Sequence, residues 1–352
     1  MRVTAAWGRD ATRPKVVSFE AGDRQREYLS ARLVDVEHAF SGQPLDVTTA
    51  EVAGDADIVT VFIRSSVDRA TLDRLPRLKL VATRSTGFDH VDVAACHERG
   101  IAVTNVPRYG ENTVAEHTFG LLLSLTRHIH QATRRTARGD YSIHGLEGID
   151  LKGRVLGVVG AGSIGLHVIR IAKGFGMEVV AFDARPHHLL AEVLGFTYLS
   201  LEELLRQAEI VTLHVPLLPT THHLMNRDRF AMMRRGSYLL NTSRGAIVDT
   251  DALLWALDEG ILAGAGLDVI EGEELVGGEE QLLATAGVED KLRMVVRQHL
   301  LLQRENVVLT PHIGFYSKEA EERILQVTID NIVSFLDGRP QNVVTLSAGG
   351  KP

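Results

Sequence analysis

The chain is poor in cysteine: its 352 residues include one, Cys96. An internal disulfide is therefore excluded. Neither a CxxC nor an HExxH pattern occurs to suggest zinc, so no metal is expected and Cys96 reads as a buried, inert thiol. Long apolar runs are also missing. No uninterrupted apolar stretch reaches the roughly 18 residues of a membrane-spanning helix. Met1 to Pro14 holds no apolar core of signal-peptide length. Charge is not concentrated either. The net charge of −7 is spread along the chain, with no basic tract to attract nucleic acid or an anionic membrane. Internal repeats and low-complexity blocks are absent. A soluble, cytoplasmic protein is the expectation that remains.

What the chain does have is ample apolar material, 45% of its residues, and a length that suggests two domains. A first series of short strand-like runs covers Lys15–Phe19, Leu45–Thr48, Ile58–Phe62, Leu78–Ala82 and Ile101–Thr104. A second covers Val155–Val159, Val179–Phe182, Ile210–Leu213, Tyr238–Leu240, Ala263–Leu267 and Val307–Leu309. Helical segments separate many of them, so both series imply parallel sheets with crossover helices. Residues 1–14 read as an N-terminal extension. From Asn112 to about Arg138 the spacing of Val114, Thr118, Leu121, Leu122, Leu125 and Ile129 predicts one long amphipathic helix. Thr113 and Glu116 form a capping-box pattern at its start. Such a helix could link two domains and supply a subunit interface.

The second series opens on a glycine run, Gly160-Ala161-Gly162-Ser163-Ile164-Gly165. It follows a strand and precedes a segment of helical spacing, the context that a dinucleotide-binding turn requires. Gly160 suits the tight turn, Gly162 a close approach to pyrophosphate, and Gly165 close packing of helix on strand. The amides of Ser163 and Ile164 would face the phosphates at the positive end of the helix. Asp183 ends the next strand, 18 residues after Gly165, where a carboxylate can accept from the ribose hydroxyls.

Three ionisable residues follow later strands. Arg244 comes just after the fourth strand of the second series, Glu273 after the fifth and His312 after the sixth. Ligands of open α/β sheets bind at the carboxyl ends of strands, so all three are expected at the cofactor's edge. Their chemistry suits hydride transfer to a 2-keto acid. A guanidinium clamps a carboxylate and polarises a carbonyl. An imidazolium donates the proton, and a carboxylate holds the imidazole and favours its charged form.

The stretches Leu213-His214-Val215-Pro216, Asn241 to Gly245, Gly266 to Asp268 and Thr310 to His312, with the spacing of Gly165 and Asp183, resemble the D-isomer-specific 2-hydroxyacid dehydrogenases from Lys15 onward. The resemblance implies two Rossmann-like or flavodoxin-like parallel-sheet domains of α/β class with a cleft between them. It implies a split substrate domain, residues 15–105 and 311–352, around an NAD-binding domain, 106–310. Arg244 would bind substrate, His312 would be the acid–base and Glu273 its partner. Besides the glycine run, Val215, Pro216, Thr221, Thr242, Ser243 and Asp268 would contact NAD, with Asp268 on the nicotinamide carboxamide. Ser85-Thr86-Gly87 resembles a loop whose amides grip the substrate carboxylate, and Tyr109 a pocket-lining tyrosine. A homodimer is implied.

Glu273 and His312 lie 39 residues apart, a longer gap than in the glycerate and phosphoglycerate members, and Asp290 to Gln303 within it reads as a helix. The run from His312 to Ser317 resembles the D-lactate dehydrogenase branch. No regulatory domain of the phosphoglycerate type follows, and the Gln of formate dehydrogenases is replaced by Glu273. Arg108 before Tyr109, and a stretch Phe62 to Ser66 without a later aromatic, depart from the D-lactate pattern and leave the side-chain pocket open. Glyoxylate or hydroxypyruvate reduction, and an NAD-sensing corepressor role, are the alternatives.

Overall fold

The computed structural model describes residues 13–273 and 288–345. Most of the expected N-terminal extension lies outside the described residues, as does Glu274. The chain divides into two units, Met1–Tyr109 with Ser317–Pro352, and Gly110–Tyr316. The divisions fall later than the expected 105/106 and 310/311. Local bonding explains both shifts. Thr86 Oγ1 donates to Val106 O at 2.8 Å and Arg323 Nε to Tyr109 O at 2.6 Å, so residues 106–109 stay with the first unit. The amides of His312, Ile313 and Gly314 all bond to Asp268, which keeps the segment after Thr310 in the second.

The first unit holds a five-stranded sheet of β1 (Lys15–Ser18), β2 (Glu37–Phe40), β3 (Ile58–Val61), β4 (Leu80–Thr83) and β5 (Ala102–Thr104). Its order is β2-β1-β3-β4-β5, and every pair is parallel. The side-chain alternation of a strand splits its apolar residues between two faces. Val16, Ile58 and Leu80 pack with Ile329 and Ile332 of the helix Lys318–Leu336, whereas Val17, Val59 and Val81 pack with Leu72, Leu75 and Cys96. The expected strand Leu45–Thr48 does not form. Asp46 Oδ1 instead accepts from the amides of Thr48 and Thr49, an Asx turn that diverts the chain, while Leu45 plugs the core alone. The second strand is the polar, half-exposed Glu37–Phe40 at the sheet edge.

The second unit holds β6 (Val155–Val159), β7 (Glu178–Phe182), β8 (Thr197–Tyr198), β9 (Ile210–Leu213), β10 (Ser237–Asn241), β11 (Leu262–Leu267) and β12 (Val307–Leu309). The order β12-β11-β10-β9-β6-β7-β8 is wholly parallel and reverses direction between β6 and β9, the doubly wound arrangement. The expected long helix is two, Glu111–Thr126 and Ile129–Thr136. His128 between them takes a left-handed φ of 52°, and the second helix buries no residue. The apolar stripe stops at Leu125, so nothing draws a continuous helix onto the core beyond it. Thr113 is not a cap either: the helix begins at Glu111, after Gly110. The first helix spends its apolar face within its own unit, where Leu121, Leu122 and Leu125 pack beside Leu156 and Leu240. Truncating a side chain as buried as Leu122 would cost about 2–5 kcal/mol. The helix expected near Asp290–Gln303 spans Val288–Leu302. Among the described residues no helix is long and apolar enough to cross a membrane.

Candidate active site

The glycine run joins β6 to the helix Ser163–Gly174. Gly160 has φ +97°, and a Cβ there would meet His214 O at 2.6 Å. A Cβ on Gly165 would collide with Gly160 O, so helix and turn touch only because Gly165 has no side chain. Around Gly162 the space is open, with nothing within 4 Å of where a Cβ would stand. Gly162 caps the helix without a side-chain acceptor, which leaves the first-turn amides of Ser163 and Ile164 for a ligand anion. Asp183, just beyond β7, accepts from Ala161 N and Arg185 N, both at 2.8 Å. Each oxygen retains acceptor capacity for a ribose hydroxyl. An open glycine turn, uncapped amides and an anchored carboxylate at the β6 and β7 ends fit a dinucleotide. Further along, Thr221 Oγ1 closes the turn after β9, donating to Pro216 O at 2.6 Å and accepting from Leu218 N at 2.7 Å; Val215 immediately precedes this turn.

Arg244 follows β10. Asn241, the first residue of the stretch Asn241 to Gly245, shapes its loop: Oδ1 accepts from Ser243 N and Oγ, and Nδ2 donates to Arg244 O at 2.9 Å. Thr242 Oγ1 pairs with Thr118 Oγ1 at 3.0 Å. A Cβ on Gly245 would strike the Ile270 carbonyl, so this loop lies flat against the turn that carries Glu271 and Glu273.

His312 Nδ1 lies 2.7 Å from Glu273 Oε1. The neighbouring Glu271 faces elsewhere, with one oxygen 2.7 Å from His223 Nε2 and the other accepting from Thr250 Oγ1 at 3.0 Å. His222 stacks on His223, and the ligand atoms of His222, His223 and Glu271 lie within 4.8 Å of one another. With Nδ1 engaged, His312 keeps Nε2 for proton exchange. The residue has a left-handed φ of 54°, uncommon outside glycine, and its surroundings must hold it there.

Asp268 does so. It is 2% exposed, its carbonyl accepts from His312 N at 2.9 Å, and its carboxylate accepts from Thr310 Oγ1, Ile313 N and Gly314 N at 2.6–2.9 Å. His117 Nε2 stands 3.3 Å from the same carboxylate and 2.9 Å from Thr310 Oγ1. Burial alone would push Asp268 up; contacts from His117, Thr310, Gly314 and Ile313 together hold it below the ordinary carboxylate range. Thr310 belongs to the stretch singled out in the sequence, but His117 does not, and an isolated polar residue gives no signal of a shared partner so far along the chain.

Two other histidines cannot exchange protons near neutrality. Burial pulls His214 down to about 3, and burial with the Arg84 charge pulls His38 down to about 4.

In the first unit, the hydroxyls of the Ser85–Gly87 loop turn inward. Ser85 Oγ bonds Thr83 Oγ1 and Gly87 O, Thr86 Oγ1 donates to Val106 O, and Asn105 Nδ2 donates to Thr86 O. What the loop can offer a ligand is therefore backbone. Tyr109 anchors its carbonyl on Arg323.

A doubly wound sheet whose carboxyl edge gathers a phosphate-accepting turn and a carboxylate-held imidazole defines a dinucleotide-dependent oxidoreductase. Residues 119–314 match the model of the D-isomer specific 2-hydroxyacid dehydrogenase NAD-binding domain. A 2-hydroxyacid dehydrogenase homolog of Haemophilus influenzae is 36% identical over 94% of this chain and 99% of its own length. A glyoxylate reductase of Korarchaeum cryptofilum is 36% identical over 82% of this chain and 83% of its own. The crystal structure of D-lactate dehydrogenase from Aquifex aeolicus, complexed with NAD and lactic acid, superposes with a TM-score of 0.82 at 34% identity, covering 92% of this chain and 96% of that one. The chain thus belongs to the D-isomer specific 2-hydroxyacid dehydrogenases, oxidoreductases that use NAD to interconvert 2-keto and 2-hydroxy acids.

Proposed function

We propose that this enzyme reduces a small 2-keto acid of the pyruvate type to the D-2-hydroxy acid. The observation that carries the reading is the 2.7 Å pair of His312 Nδ1 and Glu273 Oε1, which leaves Nε2 for the substrate's carbonyl oxygen. The nicotinamide, when bound, supplies the hydride. Arg244 binds the substrate carboxylate and polarises the carbonyl. His312 gives the proton, and Glu273 holds the ring that must give it. Ser85, Thr86, Gly87 and Tyr109 complete recognition of the acid. Gly160, Gly162, Ser163, Ile164, Gly165, Asp183, Val215, Pro216, Thr221, Thr242, Ser243 and Asp268 hold the cofactor.

Glyoxylate or hydroxypyruvate reduction is the second reading, favoured by the glyoxylate reductase relative. A panel of 2-keto acids with NADH and NADPH at fixed pH decides between them. Pyruvate should give the highest kcat/KM, with NADH over NADPH, because Asp183 repels a 2′-phosphate. Preference for glyoxylate would overturn the substrate; equal use of NADPH would point to Arg185 as a phosphate partner.

A cytoplasmic homodimer completes the proposal. Tyr141 and Ile143, 80% and 86% exposed, are apolar surface suited to a subunit contact, whereas the helix Glu111–Thr126 buries its apolar face at home. Sedimentation at micromolar concentration should give a dimer, and a monomer would contradict it.

A further inference from the structure

Glu20 follows β1, and its φ of 49° puts a non-glycine residue in the left-handed region. Its side chain is 2% exposed. The carboxylate accepts from Ser65 Oγ at 2.6 Å, Phe62 N at 3.0 Å, Arg64 N at 3.1 Å and Arg64 Nε at 3.4 Å. All four donors belong to the loop after β3. The backbone carbonyl of Glu20 accepts from Arg84 Nη2 at 3.0 Å, and that of Phe19 accepts from the same atom at 2.5 Å. Arg84, fully buried, follows β4 and stands directly before Ser85–Gly87; its guanidinium also lies 6.0 Å from the Phe62 ring centre.

One residue therefore joins three strand ends: its own after β1, the loop after β3 through the carboxylate, and the loop after β4 through the carbonyl and Arg84. The β2-β1-β3-β4-β5 order places its switch point between β1 and β3, and ligands of such sheets sit outside the carboxyl ends at that point. A strained backbone and a buried charge at a sheet's ligand edge are the usual marks of a functional constraint.

We propose that Glu20 is a positioning residue that sets substrate preference, by fixing the loop Phe62–Ser65 and, through Arg84, the loop Ser85–Gly87 against each other. The inference rests on the proposed role of Ser85–Gly87 in gripping the acid. Phe62–Ser65 would then border the substituent on the keto carbon, and its path over Glu20 determines how large a substituent fits. Arg84 stays charged for this work: burial lowers it only to about 10, with Glu20 and Glu321 opposing the fall.

The test is Glu20→Gln in the full-length protein, which keeps the size of the side chain but replaces one acceptor with a donor facing Phe62 N or Ser65 Oγ. NADH affinity, measured by fluorescence, should hold within about twofold. KM for pyruvate should rise by about tenfold with kcat changed much less, as for loss of charge-assisted bonds that orient a binding loop. The kcat/KM ratio of 2-ketoisocaproate to pyruvate should move by about fivefold or more. Unchanged KM and an unchanged ratio would overturn the proposal. Ser65→Ala, which removes a single donor, should shift the ratio in the same direction by a smaller factor. It decides the matter alone if Glu20→Gln fails to bind NADH, and no shift there counts against the inference. Arg244→Lys serves as the reference: if it raises KM while the Glu20 and Ser65 variants do not, this inference fails by itself, and if all three leave KM unchanged the functional reading fails with it.

Discussion

Asp268 holds His312 from both sides of the peptide chain: its carbonyl accepts the His312 amide at 2.9 Å, and its carboxylate accepts the amides of the two residues that follow. The left-handed backbone of His312 is the geometry this grip imposes. A buried aspartate with four convergent donors is an anchor first, and any nicotinamide contact must share it.

Asp268→Asn turns one acceptor oxygen into a donor facing donors. Stability should fall by about 1–3 kcal/mol and kcat by an order of magnitude or more. Thermal unfolding and steady-state kinetics on the same preparation check both. Asp268 is also depressed in the folded chain, so its share of stability is present above the ordinary carboxylate value and is lost as pH falls through the lower, folded one. A variant with parental Tm and kcat would leave the His312 loop supported by something else.

In the proposed mechanism His312 gives the proton, and Glu273 stands 2.7 Å from its ring. Glu273→Gln keeps the shape and removes the negative charge. The kcat should fall by about tenfold or more while NADH affinity stays near parental, as for loss of the charged partner that orients the ring. His312→Ala should lose kcat at every pH, because the ring that gives the proton is gone. The pH profile for pyruvate in both variants is the measurement. An unchanged kcat would separate Glu273 from the proton transfer.

Arg244→Lys preserves charge and loses the planar fork. The kcat/KM for keto acid should drop by about tenfold or more while NADH affinity stays near parental. Titration with NADH and saturation kinetics read the two effects separately. Near-normal kcat/KM would take Arg244 out of the substrate site.

Acid should weaken the fold through buried histidines. His214 and His38 sit near 3 and 4 in the folded chain, below their unfolded value of about 6.5. Between these values the unfolded chain binds protons that the folded chain refuses, so stability is complete above about pH 6.5 and declines as pH falls. The slope is at most about 1.4 kcal/mol per pH unit for each ring, and less for His38, which solvent partly reaches. Urea midpoints at pH 7, 6 and 5 should decline more gently in His38→Gln. Equal slopes would exclude His38 as a source.

The elements most legible in the sequence are those whose cause is local. The turn after β6 shows because three glycines are needed within six positions, and the ends of β10, β11 and β12 show because each ionisable residue follows an apolar run. The edge strand β2 does not show, since Glu37 and His38 carry no apolar alternation and the strand exists by pairing with β1. The break at His128 depends on one left-handed residue that no composition signals. The grip of Asp268 on Thr310, Ile313 and Gly314 spans 42 to 46 positions of chain, and only the folded sheet brings its ends together. The same holds for Glu20 and the loop 42 to 45 residues beyond it.

Cys96 lies fully buried beside Leu72 and Leu75, and burial pushes its thiol up to about 12. At neutral pH it is a thiol without thiolate and out of reach of reagents. The native chain should therefore be silent toward maleimide chemistry. A fluorophore or spin label attached through Arg64→Cys would report on the loop beside Glu20 alone, with no need to remove the natural cysteine from the core that it fills.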